Sequence, residues 1–207
     1  MSQLIRITEL EDSIKFYDQF ITDSFMQDIN GQYLFSKEHQ DYSILASFVG
    51  IHVSWEKFLE QTFIGYMIGE KTVNKKRVKK FITPIDKEHA HKIIIGTQKY
   101  VDWSNPDIVI KLGSLYFETG NPLDVALNSI KTKLYDIKTI RNSCVHISST
   151  TSNAFNALAS RLLNRTINSI TVSDLLINID PSGNGNDTIL DTYNDCLLVA
   201  ANTISYA

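Results

Sequence analysis

Hydrophobic residues recur along most of this chain with the rhythm of buried helix faces. Ile7, Leu10, Ile14, Tyr17, Ile21 and Phe25 stand at alternating three- and four-residue steps, which predicts a helix over roughly 3–29. Asn30-Gly31 is its expected stop, because both residues tolerate the left-handed backbone that closes helices. A second long helix is predicted over about 40–69, with Ile44, Phe48, Ile51, Trp55, Phe58 and Leu59 on one broad face.

Shorter helices follow. One is expected from Asp86 to about Gln98, and another opens in "NPDIVIKLGSLYF" with Asn105 as cap and Pro106 at its first position. "GNPLDVALNSIKTKLYDIKTIRNSCVH" repeats the device, with Gly120 closing what precedes and Asn121-Pro122 opening a helix expected to reach about His146. After the break "SSTTS", Phe155, Leu158 and Leu162 predict a helix of about 152–164, whereas "ITVSDLLINID" reads as either strand or helix. "PSGNGND" is a loop, and Ile189, Tyr193, Cys196 and Ala200 share a face of a last helical extension within about 186–207.

Together these elements predict an all-α fold, a helical bundle of six to eight helices built on a long antiparallel helix pair with shorter flanking helices. A length of 207 residues suits a single domain, 1–207. Hydrophobic residues at 43% and charged residues at 21% are ordinary globular values. The first 20 residues carry acidic side chains where a signal peptide would be basic and then continuously apolar, and no window approaches the length of a membrane span. Cys144 and Cys196 are too few for a disulfide framework and lack zinc-site spacing. A cytoplasmic protein with no membrane association, no metal and no cofactor is the expectation.

The net charge of −3 does not advertise nucleic-acid binding in bulk, so any such binding must use a local patch. One dense basic run exists: Lys71, Lys75, Lys76, Arg77, Lys79 and Lys80. It reads either as a solvated charged face or as a phosphate-contacting patch, and it has little aromatic interleaving. His52 and Glu56, four apart on the second helix, are expected to pair on its surface.

The apolar positions Leu123, Leu127, Ile130, Leu134 and Ile137 lead in the same rhythm to Arg141, where an apolar residue would be in step. At about 100° per residue, His146 lies roughly 140° around the helix from Arg141 but only about 40° from Asn142. Asn142 therefore shares a face with the imidazole and could set its tautomer, as a general base requires. An Arg and a His near a helix C-terminus are also favoured there by the helix dipole alone. A site using both would need a frayed last turn or a second copy of the helix, which a two-fold homodimer supplies.

The segment "IKTIRNSCVHISS" resembles the signature of the HEPN superfamily (higher eukaryotes and prokaryotes nucleotide-binding), in which a late helix carries Arg, a polar residue and then His. Here these are Arg141, Asn142 and His146. "SILASFVGIHVSWEKFLEQTFIGYMI" is similar to the long earlier helix with its aromatic-Glu pair, Trp55 and Glu56. "YVDWSNPDIVIKLGSLYF" is similar to the connecting stretch of prokaryotic defence-associated groups such as RiboL-PSP-HEPN. The likeness covers roughly residues 40–150.

The resemblance implies a homodimeric, metal-independent endoribonuclease with an RNA substrate, acting as a toxin or an antiphage-defence effector with an antitoxin or defence-system partner protein. It implies catalytic roles for Arg141, His146 and Asn142, with Glu56 and His52 as supporting residues and Lys75, Lys76, Arg77, Lys79 and Lys80 as RNA contacts. The alternative is a non-catalytic HEPN-like dimerisation or adaptor module in a defence or toxin–antitoxin complex.

Overall fold

The computed structural model describes residues 2–97, 99–146, 148–183 and 185–207. Among them are nine α-helices and no strands, only isolated bridges: α1 Gln3–Ser24, α2 Lys37–Met67, α3 Lys87–Ile95, α4 Pro106–Tyr116, α5 Pro122–Ser129, α6 Lys131–Val145, α7 Ser149–Leu162, α8 Val172–Leu176 and α9 Ile189–Tyr206. The fold is all-α. None of these helices is long and apolar enough to cross a membrane.

The count exceeds the expected six to eight for local reasons. "ITVSDLLINID" resolves into the short α8, capped by Thr171. The helix opened by Asn121-Pro122 divides at Ile130, whose φ of −114° and ψ of 13° interrupt it. The expected helix over 3–29 ends five residues early, at Ser24. Beyond it the Asp28 carboxylate accepts hydrogen bonds from the Asn30 and Gln32 backbone N–H groups, a local alternative to helix. Those two bonds hold the carboxyl below its ordinary pKa. Gly31, at φ +78°, completes a turn closed by an antiparallel bridge between Gln27 and Tyr33. Asn30-Gly31 is thus the tip of a turn instead of a helix stop. Gln98, expected to end α3, lies outside the described residues.

The packing forms two compact units. One comprises Met1–Glu11, Ser54–Tyr135 and Cys196–Ala207. In it the start of α1 runs antiparallel to the end of α2, since Thr62 hydrogen-bonds Gln3 and Lys57 pairs with Glu9. Its core is aromatic: Phe63 has ring centroids of Trp103, Tyr116 and Phe117 within 4.9–6.3 Å. A buried ion pair, Arg6 with Glu70 at 2.7 Å, lies against Gly65, where a Cβ would come within 2.7 Å of both partners.

The second unit comprises Asp12–Val53 and Asp136–Asp195. Gly50 of α2 lets the Tyr17 ring lie flush on the helix, since a Cβ there would stand 2.1 Å from the ring. Ser47 donates to the Tyr17 carbonyl at 3.2 Å. Phe155, Leu158, Ala159 and Leu162 of α7, with Leu175 and Leu176 of α8, contribute its apolar interior.

Candidate functional site

The residues Leu123, Leu127, Ile130, Leu134 and Ile137 are all buried, and the stripe continues not at Arg141 but at Ile140, which is fully buried. A step of three instead of four keeps the stripe apolar and leaves Arg141 half-buried on its flank. The guanidinium Nη1 donates to Asn142 Oδ1 at 3.3 Å. Arg141 therefore does not interrupt the core, and it engages the oxygen of the Asn142 amide. The bond recorded between Asn142 and His146 is the backbone one, His146 N–H to Asn142 C=O at 2.9 Å.

His146 is exposed at the end of α6. It lines an open groove of about 630 Å³ with Thr139, Asn142, Ser148, Thr150 and Thr151. The shared helix face of Asn142 and His146 thus opens onto one cavity. Its opposite wall starts α7: Ser148 is the N-cap, accepting from the Thr151 N–H at 3.1 Å. "SSTTS" was legible only as a break, yet a serine directly before an apolar-periodic run is also a start signal, and the hydroxyls it adds to the groove were missed.

Electrostatically the groove joins two unlike helix ends. The C-terminus of α6 carries partial negative charge, and the N-terminus of α7 favours an anion. Cys144, next to this site, donates its thiol to the Ile140 carbonyl, and burial pushes its pKa up to about 11 against the opposing pull of Arg141. Its thiol is therefore not an available nucleophile at neutral pH.

The supporting residues lie elsewhere. His52 is buried, 4% exposed, and not on the surface as expected. Phe48, His52, Trp55 and Leu59 follow one another at helical steps, so His52 falls in the apolar stripe of α2. Glu56, one turn on, is half-buried, and neither residue lines the His146 groove. Among the described residues no group of three or more His, Cys, Asp or Glu side chains is arranged to hold a metal ion.

The basic run forms a small hairpin after α2. An antiparallel bridge joins Lys71 to Arg77, and Thr72 and Lys75 make the turn. Lys80 departs from the expectation of an RNA contact: its Nζ donates to the Met67 carbonyl at the end of α2, and burial, with Arg77 nearby, lowers its pKa. Lys79 stands 3.5 Å from Glu118. Lys71, Lys75, Lys76 and Arg77 are exposed, with no carboxylate partner among the described residues.

Compared with known protein families, curated proteins and solved structures, the chain matches none.

Proposed function

We propose that this protein is a metal-independent endoribonuclease of HEPN type, a toxin or antiphage-defence effector that acts as a homodimer. The observation that carries the reading is the groove in which His146 and Asn142 face the capped N-terminus of α7, with Arg141 bonded to the same Asn142. A ribose–phosphate linkage in that groove meets a proton acceptor, and its phosphate meets backbone N–H groups and a guanidinium.

In this mechanism His146 takes the proton of a ribose 2′-OH. The 2′-oxygen forms a bond to the adjacent phosphorus, the bond from phosphorus to the 5′-oxygen breaks, and the departing oxygen takes a proton from water, while the imidazolium of His146 later returns its own proton to solvent. The products are a 2′,3′-cyclic phosphate and a 5′-OH. Charge gathering on the phosphorane oxygens is offset by Arg141, reaching in past Asn142 or from a second copy across a two-fold axis.

The test incubates purified protein with total RNA, with and without EDTA, and analyses the new ends. Wild type should cleave in EDTA and leave cyclic phosphate. His146→Ala should lose cleavage while keeping its thermal stability, and Arg141→Ala should lose roughly 10²- to 10³-fold. Cleavage that EDTA abolishes, or that survives His146→Ala, overturns the mechanism. Intact RNA with a dimeric solution mass points instead to the adaptor module.

A further inference from the structure

The basic hairpin is not absorbed by the chemistry at His146, and it is built as a surface. Three residues of its turn satisfy carbonyls at the end of α9: Val73 N–H bonds Ser205 at 2.8 Å, Thr72 Oγ1 bonds Ala207 at 3.0 Å and Asn74 Nδ2 bonds Tyr206. The backbone of the turn is therefore anchored before any ligand arrives. Lys75 sits at φ +64°, a left-handed conformation where glycine or asparagine would be unstrained. Strain of this kind, kept at an exposed cationic position, directs attention to function.

The cations divide between two concavities. Lys76, Arg77 and Lys79 line one with Glu118, Gly120 and Ala207, three cations against the one acidic side chain, which pairs with Lys79. Lys71 and Lys75 line another with Gly69, Val73 and Glu70, whose carboxylate is paired with Arg6. Phe81 follows directly. Its backbone N–H is fixed to the Tyr116 carbonyl at 2.9 Å, and Lys79 and Lys80 are tied to Glu118 and Phe117. The residue is nevertheless 61% exposed, with no aromatic ring partner among the described residues. A phenyl ring kept in water on an anchored backbone, four residues on from Arg77, offers a face for stacking.

We infer that residues 71–81 form a binding surface for single-stranded RNA, in which Lys71, Lys75, Lys76 and Arg77 contact successive phosphates and Phe81 stacks on a base. Cations alone fit any polyanion. The exposed ring selects a strand with unstacked bases, because a duplex offers no open base face. An anionic membrane fits less well, since the segment is a hairpin and not an amphipathic helix with an apolar face. The inference stands on the hairpin alone and does not require that the His146 groove cleave RNA.

The test uses full-length His146→Ala protein, so that RNA stays intact, and reads anisotropy of a short labelled oligouridylate over a series of salt concentrations. Lys76→Ala/Arg77→Ala should weaken binding and flatten the slope of log affinity against log salt by about 1.4, at about 0.7 per lost contact. Phe81→Ala should weaken binding by roughly fivefold or more with the slope unchanged, and Phe81→Trp should restore it. All three positions are exposed, and unchanged thermal unfolding of the variants confirms the fold. RNA affinity that the variants leave intact, or an equal Phe81→Ala effect on duplex RNA, overturns the inference. So does binding to phosphatidylserine vesicles with none to RNA. Binding by a protein that does not cleave sinks the proposed function and leaves this surface standing.

Discussion

Asp136 of α6 is buried and accepts a hydrogen bond from the guanidinium of Arg161 on α7, while the Tyr193 hydroxyl faces the same carboxylate. Burial, then the Asp136 charge, pushes the Tyr193 pKa upward, so the phenol stays protonated and can donate. Arg161→Ala should destabilise the protein by about 2 kcal/mol, less than for a wholly buried pair because the arginine side chain is 54% exposed. Urea unfolding measures it. Adding Asp136→Asn should return part of the loss, and no recovery would show that the carboxylate is not the cause.

Gly65 and the Arg6–Glu70 pair constrain one another. The guanidinium end is normally the flexible part of an arginine, but here the side chain is 2% exposed and cannot swing aside from a Cβ. Gly65→Ala should therefore lower stability by about 2–4 kcal/mol. In an Arg6→Met/Glu70→Leu background the same substitution should cost under half as much, and the difference between the two thermal shifts is the coupling. Equal costs in both backgrounds would place the strain elsewhere.

Asp18 accepts from Asn194 Nδ2 at 3.1 Å, yet its pKa is raised, chiefly by burial and then by the charges of Asp191 and Asp195. The folded state therefore holds this proton to a higher pH than the unfolded state does. Stability contributed by the group is present at low pH and falls as pH rises from the unfolded pKa through the folded one. At neutral pH the ionised carboxylate is a liability. Asp18→Asn keeps a carbonyl acceptor for Asn194 and should raise Tm at pH 7, with a gain that shrinks towards pH 3. A uniform shift at both pH values would refute the electrostatic origin.

Apolar periodicity made the long helices legible: Ile7, Leu10 and Ile14, and then Ile44 to Leu59, are buried where the stripe put them. Capping made α4 and α5 legible, because Asn105 and Asn121 do accept from the first-turn N–H groups. Periodicity failed at Ile130, where the same stripe continues across a helix break. It misled at Arg141 because steps of three and four are interchangeable on one face, and Ile140 takes the core place. His52 was placed outside for being polar, although its spacing put it in. The groove at His146 was half legible, from Asn142 and His146 sharing a face; its α7 wall depends on how the chain turns back, which no periodicity encodes. Phe81 carries no local signal, since exposure is a property of what does not pack on it.

The three bonds from Thr72, Val73 and Asn74 to the last turn of α9 have a thermodynamic corollary. Fraying of that turn and loosening of the hairpin are one event, because neither can open without breaking the bonds they share. A ligand that holds the hairpin closed must then slow amide exchange in the final turn of α9, and a destabilised α9 must weaken the ligand by the same free energy. The end of a helix about 130 residues away in sequence thus becomes a reporter of occupancy at the basic loop.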